Sequence, residues 1–530
     1  MRPGWPPPST PSPPVTAHPA RTPSGWRSRS RWNGSWAAAE VPPWLAGSIV
    51  FFSSAAVLIL EILAGRLLAP YVGIRLETYT AVIGVVLAGI SVGTWLGGRL
   101  ADRVDPRRTV GPLLVAGGVL ALTSVPLVRA LGTVGSAQAA QTLTLTLIGF
   151  GPSAAVLSAV SPTVVKLQLH DLDQTGQIVG RLSALGTAGA IAGTFTAGFV
   201  LVAAAATTTV IGVVGGALIA AGIGLWWFLA RPRPSARQLA VAVALSVGAA
   251  SLGAVSDGPC DTETRYHCVR LSVDPDRAGG RELRLDVLRH SYVDLDDPTH
   301  LELRYAKAFA DVINSAELPD GERLDVLHVG GGGFTMPRYL RATRPGSDHL
   351  VLEIDPGLVE VARERLGLVT GPELRVQVGD ARVRQLRLPD DTYELVLGDA
   401  FGDLAVPWHL ATVEYLRDLA RVMRPGGLYL LNLIDHPPLR FARAEVATLR
   451  EVFDHVAVVA PPDLLAGRRG GNFVVAASDR PFDADAVEDR IGRRAGEEEI
   501  LTGAAAIDRF AGDGRVLTDD YAPVDQWLAR

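Results

Sequence analysis

Seven apolar runs between residues 46 and 255, each long enough to cross a bilayer, constrain this chain more than any other feature. They fall at about 46–69, 79–100, 109–131, 139–163, 182–204, 207–230 and 237–255, and roughly 20 apolar residues span the hydrocarbon as a helix. Frequent small residues, as at Gly186, Gly189 and Gly193, suit close helix packing in lipid. The expectation is a multi-span α-helical membrane domain over 45–255, of about seven helices. A Pro/Ser/Arg-rich tail at 1–44 precedes it, too polar to bury a core and without the apolar run of a signal peptide. Residues 256–530 have the charged composition of a globular domain. With 530 residues and 48% of them hydrophobic, the whole exceeds one domain and is too apolar to be wholly water-soluble.

Basic residues mark the turns after the second run (Arg99, Arg103, Arg107, Arg108), the fourth (Lys166, Arg181) and the sixth (Arg231, Arg233, Arg237), and these turns are expected in the cytoplasm with the N-terminus. An odd number of spans then puts residues 256–530 outside. If the Ala/Val-rich seventh run fails to span, they lie inside, and the sequence leaves both open. Glu61 and Arg66 sit within the first run, about 140° apart on a helix, where an ionisable group is costly and is either functional or a polar contact to a neighbour. The stretch from Gly98 to Asp102 and Arg103, with Arg107 and Arg108, resembles a cytoplasmic loop of major-facilitator transporters.

A net charge of −5 gives no reason to expect a nucleic-acid partner. Cys260 and Cys268 are the only cysteines, so no Cys-rich zinc site is expected, and His290, His328 and His409 show no metal-ligand spacing. If 262–272 is one strand, eight residues at about 3.3 Å each hold the two thiols too far apart to pair.

The soluble part reads as alternating strands and helices: a small β unit and linking helix at 256–322, a Rossmann-like sheet at 323–478, and a C-terminal segment at 479–530. Within it, Leu324-Asp-Val-Leu-His-Val runs into four glycines, Gly330 to Gly333, and a second apolar run ends in Glu353 and Asp355. Glycines let backbone N–H groups approach a ligand, and an acid about 20 residues on can accept both ribose hydroxyls. Asp380-Ala381 ends the next strand, where a carboxylate can accept from an adenine amino group. Neither a P-loop nor a strict G-x-G-x-x-G is present, so the expected ligand is an adenosine without a phosphate chain.

These residues resemble the spermidine synthase family, the polyamine aminopropyltransferases, in a membrane-fused form. Glu263-Thr-Arg-Tyr266 resembles its opening Glu-Ser-x-Tyr and Leu285-Asp286 its Leu-Asp-Gly, with His290 where a nucleoside-contacting Gln is usual. The resemblance makes Gly330, Gly331, Gly332, Glu353, Asp380, Ala381 and His290 the nucleoside-binding set. It makes Asp399 the catalytic base and Tyr305 the tyrosine over the amine, with Tyr266, Tyr292 and Asp403 as candidate substrate contacts. For each tyrosine, half-buried packing is the alternative. Leu517 to Val524 looks like a closing motif of fused members. Three positions depart from the pattern: Gly333 and Gly402 stand where aspartates are usual, and Ala306 where a polar residue is.

The resemblance implies transfer of an aminopropyl group from decarboxylated S-adenosylmethionine to a diamine such as putrescine, releasing methylthioadenosine, with no permanently bound cofactor. It also implies a multi-pass cell-membrane location with the lipid bilayer as partner, and a homodimer. An S-adenosylmethionine methyltransferase on the same sheet is the nearest alternative. A transporter or sensor with a non-catalytic binding domain is another.

Overall fold

The computed structural model describes residues 41–528 apart from 74–75, 133–137, 170, 257, 319–322 and 403–404, so nearly all of the expected N-terminal tail, and Asp403, lie outside the described residues. The apolar half forms helices α1 (Pro43–Val72), α2 (Leu76–Arg103), α3 (Pro106–Gly132), α4 (Gln138–Gly149), α5 (Gly151–Ser158), α6 (Val160–Gln168), α7 (Thr175–Phe195), α8 (Val202–Ala204), α9 (Thr207–Leu229) and α10 (Ala236–Val255). Six helical stretches are long and apolar enough to cross a membrane, and the bent pair Ala140–Gly149 and Gly151–Gln168 makes a seventh if counted as one. Pro152, in the first turn of α5, lacks the N–H that would continue α4, and the helix breaks there. A π-helical stretch, Thr196–Leu201, joins α7 to α8.

The Ala/Val-rich seventh run is a full helix, α10. It starts at Ser235, whose side chain accepts from Gln238 N–H while Gln238 reciprocates to the Ser235 backbone. Helices approach to backbone contact where glycine permits it: a Cβ at Gly189 would sit 2.1 Å from the Phe51 carbonyl, so any larger residue separates α7 from α1.

The water-exposed half begins with strands β1 (Thr262–Glu263), β2 (Cys268–Val273), β3 (Gly280–Leu285) and β4 (Leu288–Asp294), a four-stranded antiparallel sheet. Here the expectation of one strand over 262–272 fails. Thr264 N–H donates to the His267 carbonyl, and its hydroxyl oxygen accepts from His267 N–H, so the chain turns back and Glu263 pairs with Cys268. The reversal brings Cys260 within 5.1 Å of Cys268, Cα to Cα, and the two form a disulfide. The sequence reading of unpaired thiols is corrected, because the distance was counted along a straight strand.

Helix α11 (Arg304–Ser315) leads to an eight-stranded sheet. Its strands are β5 (Asp325–Val329), β6 (Asp348–Glu353), β7 (Leu374–Val378), β8 (Tyr393–Gly398), β9 (Met423–Asp435), β10 (His455–Ala460), β11 (Gly471–Ser478) and β12 (Glu499–Leu501), in the order β12-β10-β11-β9-β8-β5-β6-β7. Four of the seven pairings are parallel, from β7 through β9, and the other three are antiparallel. Helices α12 (Thr335–Thr343), α13 (Pro356–Arg365), α14 (Ala381–Gln385), α15 (Val413–Val422) and α16 (Arg440–Leu449) pack on this sheet through their apolar residues. Strand β9 begins irregularly over Arg424 to Gly427: the register shifts between Tyr393 and Leu395 of β8, and Gly426 has a φ of +76° there. The C-terminal segment supplies β12, so it completes the sheet instead of forming a tail.

Candidate active site

Four parallel strands end side by side, and each delivers a site residue at its carboxyl end, where open α/β sheets bind ligands. Strand β5 runs into the glycine loop. Gly330 has φ +95° and Gly332 φ +50°, and a Cβ on Gly330 would lie 2.4 Å from the Asp399 carbonyl, so glycine is what lets the loop cross the end of β8.

Strand β6 ends in Glu353, which is 6% exposed. Its Oε2 accepts from Gly331 N–H at 2.8 Å and Gly332 N–H at 3.4 Å, and its Oε1 accepts from Asp355 N–H at 2.9 Å. Burial pushes its pKa up, against the pull of those N–H groups. Asp355 caps α13 by accepting from Gly357 N–H. Strand β7 leads to Asp380, which caps α14 and lies 3.0 Å from His409 Nε2.

Strand β8 delivers Asp399. Tyr305, on α11, donates its hydroxyl to Oδ2 at 2.9 Å, and Asn432, on β9, donates to Oδ1 at 2.8 Å. Asn472, on β11, in turn donates to Asn432 Oδ1 at 2.9 Å, which fixes that amide's orientation. Burial raises the Asp399 pKa to about 6, opposed by these two donors. Burial, with the Asp399 charge beside it, holds the Tyr305 pKa well above its ordinary value, so the phenol keeps its proton and acts as a donor. The unit is a carboxylate ionised at neutral pH, immobilised on both oxygens, and able to accept a proton.

The β unit closes the pocket. His290 of β4 lies between the rings of His267 and Phe401, at 6.4 and 6.0 Å, and burial depresses its pKa to about 4, leaving a neutral imidazole. Burial works against a charge on His267, but Asp286 at 3.0 Å outweighs it and holds that imidazole's pKa above its usual value. Asp380, Ala381, Asp399, Glu353, Gly330, Gly332 and His290 thus face one cavity with His267, Ser291, Phe401, Pro407 and His409. Gly331 contributes through its N–H to Glu353.

Two expected substrate contacts are not brought there. Tyr266, 37% exposed, stands at the turn between β1 and β2 and lines a different cavity beside α1 and α3. Tyr292, 2% exposed, donates to Asp274 at 2.7 Å and does not line this cavity. The β3–β4 register shifts between Leu283, paired with Ser291, and Arg284, paired with Arg289, so strict alternation breaks at His290, which lines the pocket together with Ser291.

Sequence reading missed Asn432, Asn472, His267 and His409. A lone amide in an otherwise apolar strand, Leu430-Leu-Asn-Leu433, was the available signal. The departures have different structural settings. A Cβ at Gly333 would meet Ser291 Cβ at 2.7 Å, so that position is closed, whereas one at Gly402 meets only Pro407 Cγ at 3.9 Å. Among the described residues, no group of three or more His, Cys, Asp or Glu could hold a metal.

A family model described as a methyltransferase domain matches residues 327–431. A polyamine aminopropyltransferase of Vibrio vulnificus is 32% identical over 143 residues, 26% of this chain and 44% of that protein. One from Chromobacterium violaceum is 25% identical over 142 residues, 27% of this chain and 53% of that protein. The chain thus spans about half the length of these curated relatives. A solved structure described as a probable spermidine synthase from Corynebacterium glutamicum is 30% identical, with 49% of this chain covering 95% of that one at a TM-score of 0.46. The chain is thus similar to polyamine aminopropyltransferases over part of their length and carries a methyltransferase-type domain, which supports a transferase enzyme.

Proposed function

We propose that this chain is a membrane-bound aminopropyltransferase that moves an aminopropyl group from decarboxylated S-adenosylmethionine to an amine acceptor and releases methylthioadenosine. The observation that carries the reading is Asp399, held on both carboxylate oxygens by Tyr305 and Asn432 at the rim of the glycine loop. A primary amine has a pKa near 10, so it arrives protonated and without a free lone pair. Asp399 accepts that proton, Tyr305 and Asn432 fix the direction of the accepting oxygen, and the freed nitrogen attacks the propyl carbon beside the sulfonium. The C–S bond breaks with its electron pair on sulfur, giving a neutral thioether. Because the sulfonium is already a good leaving group, alignment of the amine supplies much of the acceleration. Glu353 takes the ribose hydroxyls, with Asp380 and the neutral His290 beside the base.

Six or seven helices of spanning length support a multi-pass location, with lipid as the partner of their exposed apolar faces. The membrane-fused form and a homodimer are part of the proposal.

A methyltransferase reading is favoured by one observation: the carboxylate expected beside the donor's aminopropyl group is missing at Gly333 and the one expected to anchor the diamine is missing at Gly402, and the first cannot be restored without displacing Ser291. Purified full-length protein in detergent, given each labelled donor with several amines, separates the two. Aminopropyl product supports the proposal, and methyl product without aminopropyl product replaces it.

A further inference from the structure

The helical bundle has two chemically different ends, and α3 runs from one to the other. At its start, Arg108 Nε donates to the Arg231 carbonyl at 2.9 Å, tying the α2–α3 turn to the α9–α10 turn. Lys166, near the end of α6, pairs with Asp102, near the end of α2, at 3.0 Å. Arg103, Arg107, Arg233 and Arg237 belong to the same end. Near the other end of α3, Arg129 donates to the carbonyls of Gly253 at 2.9 Å and Ser256 at 2.7 Å, where α10 hands over to the transferase domain. The stretches of sequence between α1 and α2, α3 and α4, and α8 and α9 contain a single basic residue, Arg75.

The transferase domain is docked on this second, basic-poor end, through the β1–β2 hairpin. Glu263 accepts from Thr207 N–H at 2.6 Å at the start of α9, and Arg265 donates to the Ala203 carbonyl at 2.8 and 3.1 Å at the end of the preceding helix. A carboxylate at a helix start and a guanidinium at a helix end each meet the unpaired backbone groups of the opposite sign. Arg66, left open by the sequence, donates to the Thr264 carbonyl at 3.2 Å and is a third tie between bundle and hairpin. The Cys260–Cys268 bond closes this same hairpin, and on its other side His267 meets Asp286 against the nucleoside pocket.

Two independent features therefore bear on which side the chemistry occurs. Excess Lys and Arg mark the cytoplasmic ends of spans, and they lie on the end away from the transferase domain. Disulfides persist on the oxidising side and are rare in the cytoplasm. We propose that the transferase domain works on the non-cytoplasmic face of the membrane, with Cys260–Cys268 oxidised there as a lasting clasp of the docking hairpin. This rests on the reading of the long apolar helices as membrane spans, and not on which group is transferred. The two thiols give up two protons and two electrons to the disulfide of an oxidising exchange protein, which leaves as its dithiol. The proposal sets a condition on the reaction: donor and amine must both be present on that side.

The test uses the full chain in bacterial cells. Alkaline phosphatase, active only after export, or green fluorescent protein, fluorescent only in the cytoplasm, is fused after Arg530. A membrane-impermeant maleimide is then applied to intact cells carrying the unfused chain, with and without an impermeant phosphine, and to a Val104→Cys variant marking the basic end. The expected result is an active phosphatase, a dark fluorescent fusion, Cys260 and Cys268 labelled in intact cells only after the phosphine, and Cys at 104 labelled only after permeabilisation. A fluorescent fusion, with both native cysteines labelled without reductant and only after permeabilisation, overturns the proposal. Release of the chain from membranes by alkaline carbonate also overturns it, by removing the spans themselves, and leaves the transfer chemistry standing.

Discussion

Removing the Tyr305 hydroxyl tests the proposed base through its acidity. Burial lifts the Asp399 pKa from 3.8 to about 6 while Asn432 and Tyr305 pull it down, and the Tyr305 bond is 2.9 Å long. A hydrogen bond to a charged group is worth about 1.5–3 kcal/mol net, and one pKa unit is about 1.4 kcal/mol. In Tyr305→Phe the ring keeps its edge contact with Phe309, and water entering the pocket replaces part of the lost donor, so the expected rise is about one unit. Only the ionised carboxylate takes a proton from the amine, so activity is lost as pH falls through this pKa. The acid limb of kcat/KM, measured from about pH 5 to 9 by label transfer, should lie near 6 in the parent and move up to about 7 in Tyr305→Phe. Asp399→Asn should lose about 100- to 10,000-fold and lack this limb. A limb in Tyr305→Phe at or below the parent's, or a retained limb in Asp399→Asn, refutes the assignment of the base.

Glu353→Gln should weaken methylthioadenosine binding about 10- to 100-fold by calorimetry, since one charged acceptor becomes neutral, and an unchanged Kd removes Glu353 from the nucleoside site. Gly402→Asp adds a carboxylate in open space and should lower KM for putrescine about tenfold, the worth of one hydrogen bond to a charged group. By contrast, Gly333→Asp drives a side chain into Ser291 and should cost about 1–3 kcal/mol of stability in denaturant titration. Arg382 donates to both oxygens of Asp519 and to the His409 carbonyl at 3.0 Å, so Arg382→Ala should loosen the wall beside Ala381; partial exposure limits the loss to about 1 kcal/mol, read as faster proteolysis within 405–412.

The long apolar helices, the alternation of strands and helices, and the strand-end positions of Gly330, Glu353, Asp380 and Asp399 were legible in the sequence. Each is a local property: an apolar run, a period, or the last residue of a strand. Parallel strands all present the same end to one edge, so strand-end residues far apart in the chain were bound to converge. What pairs with those residues was not legible. Asn432 and Asn472 come from strands that become neighbours of the site only through the order of the sheet, and His267 arrives through a turn built on the Thr264 side chain. That turn also decided the disulfide, by folding back a stretch whose alternation reads as one straight strand. Tyr266 matched a motif by position and Tyr292 was a further candidate contact, yet the turn between β1 and β2 carries Tyr266 to another cavity and Tyr292 is taken up by Asp274. The sequence by itself determined that an apolar helical bundle is joined to a Rossmann-like sheet. Only the tertiary structure decided which end of the bundle carries that sheet, because the hydrogen bonds that join them link residues some 60 to 200 positions apart.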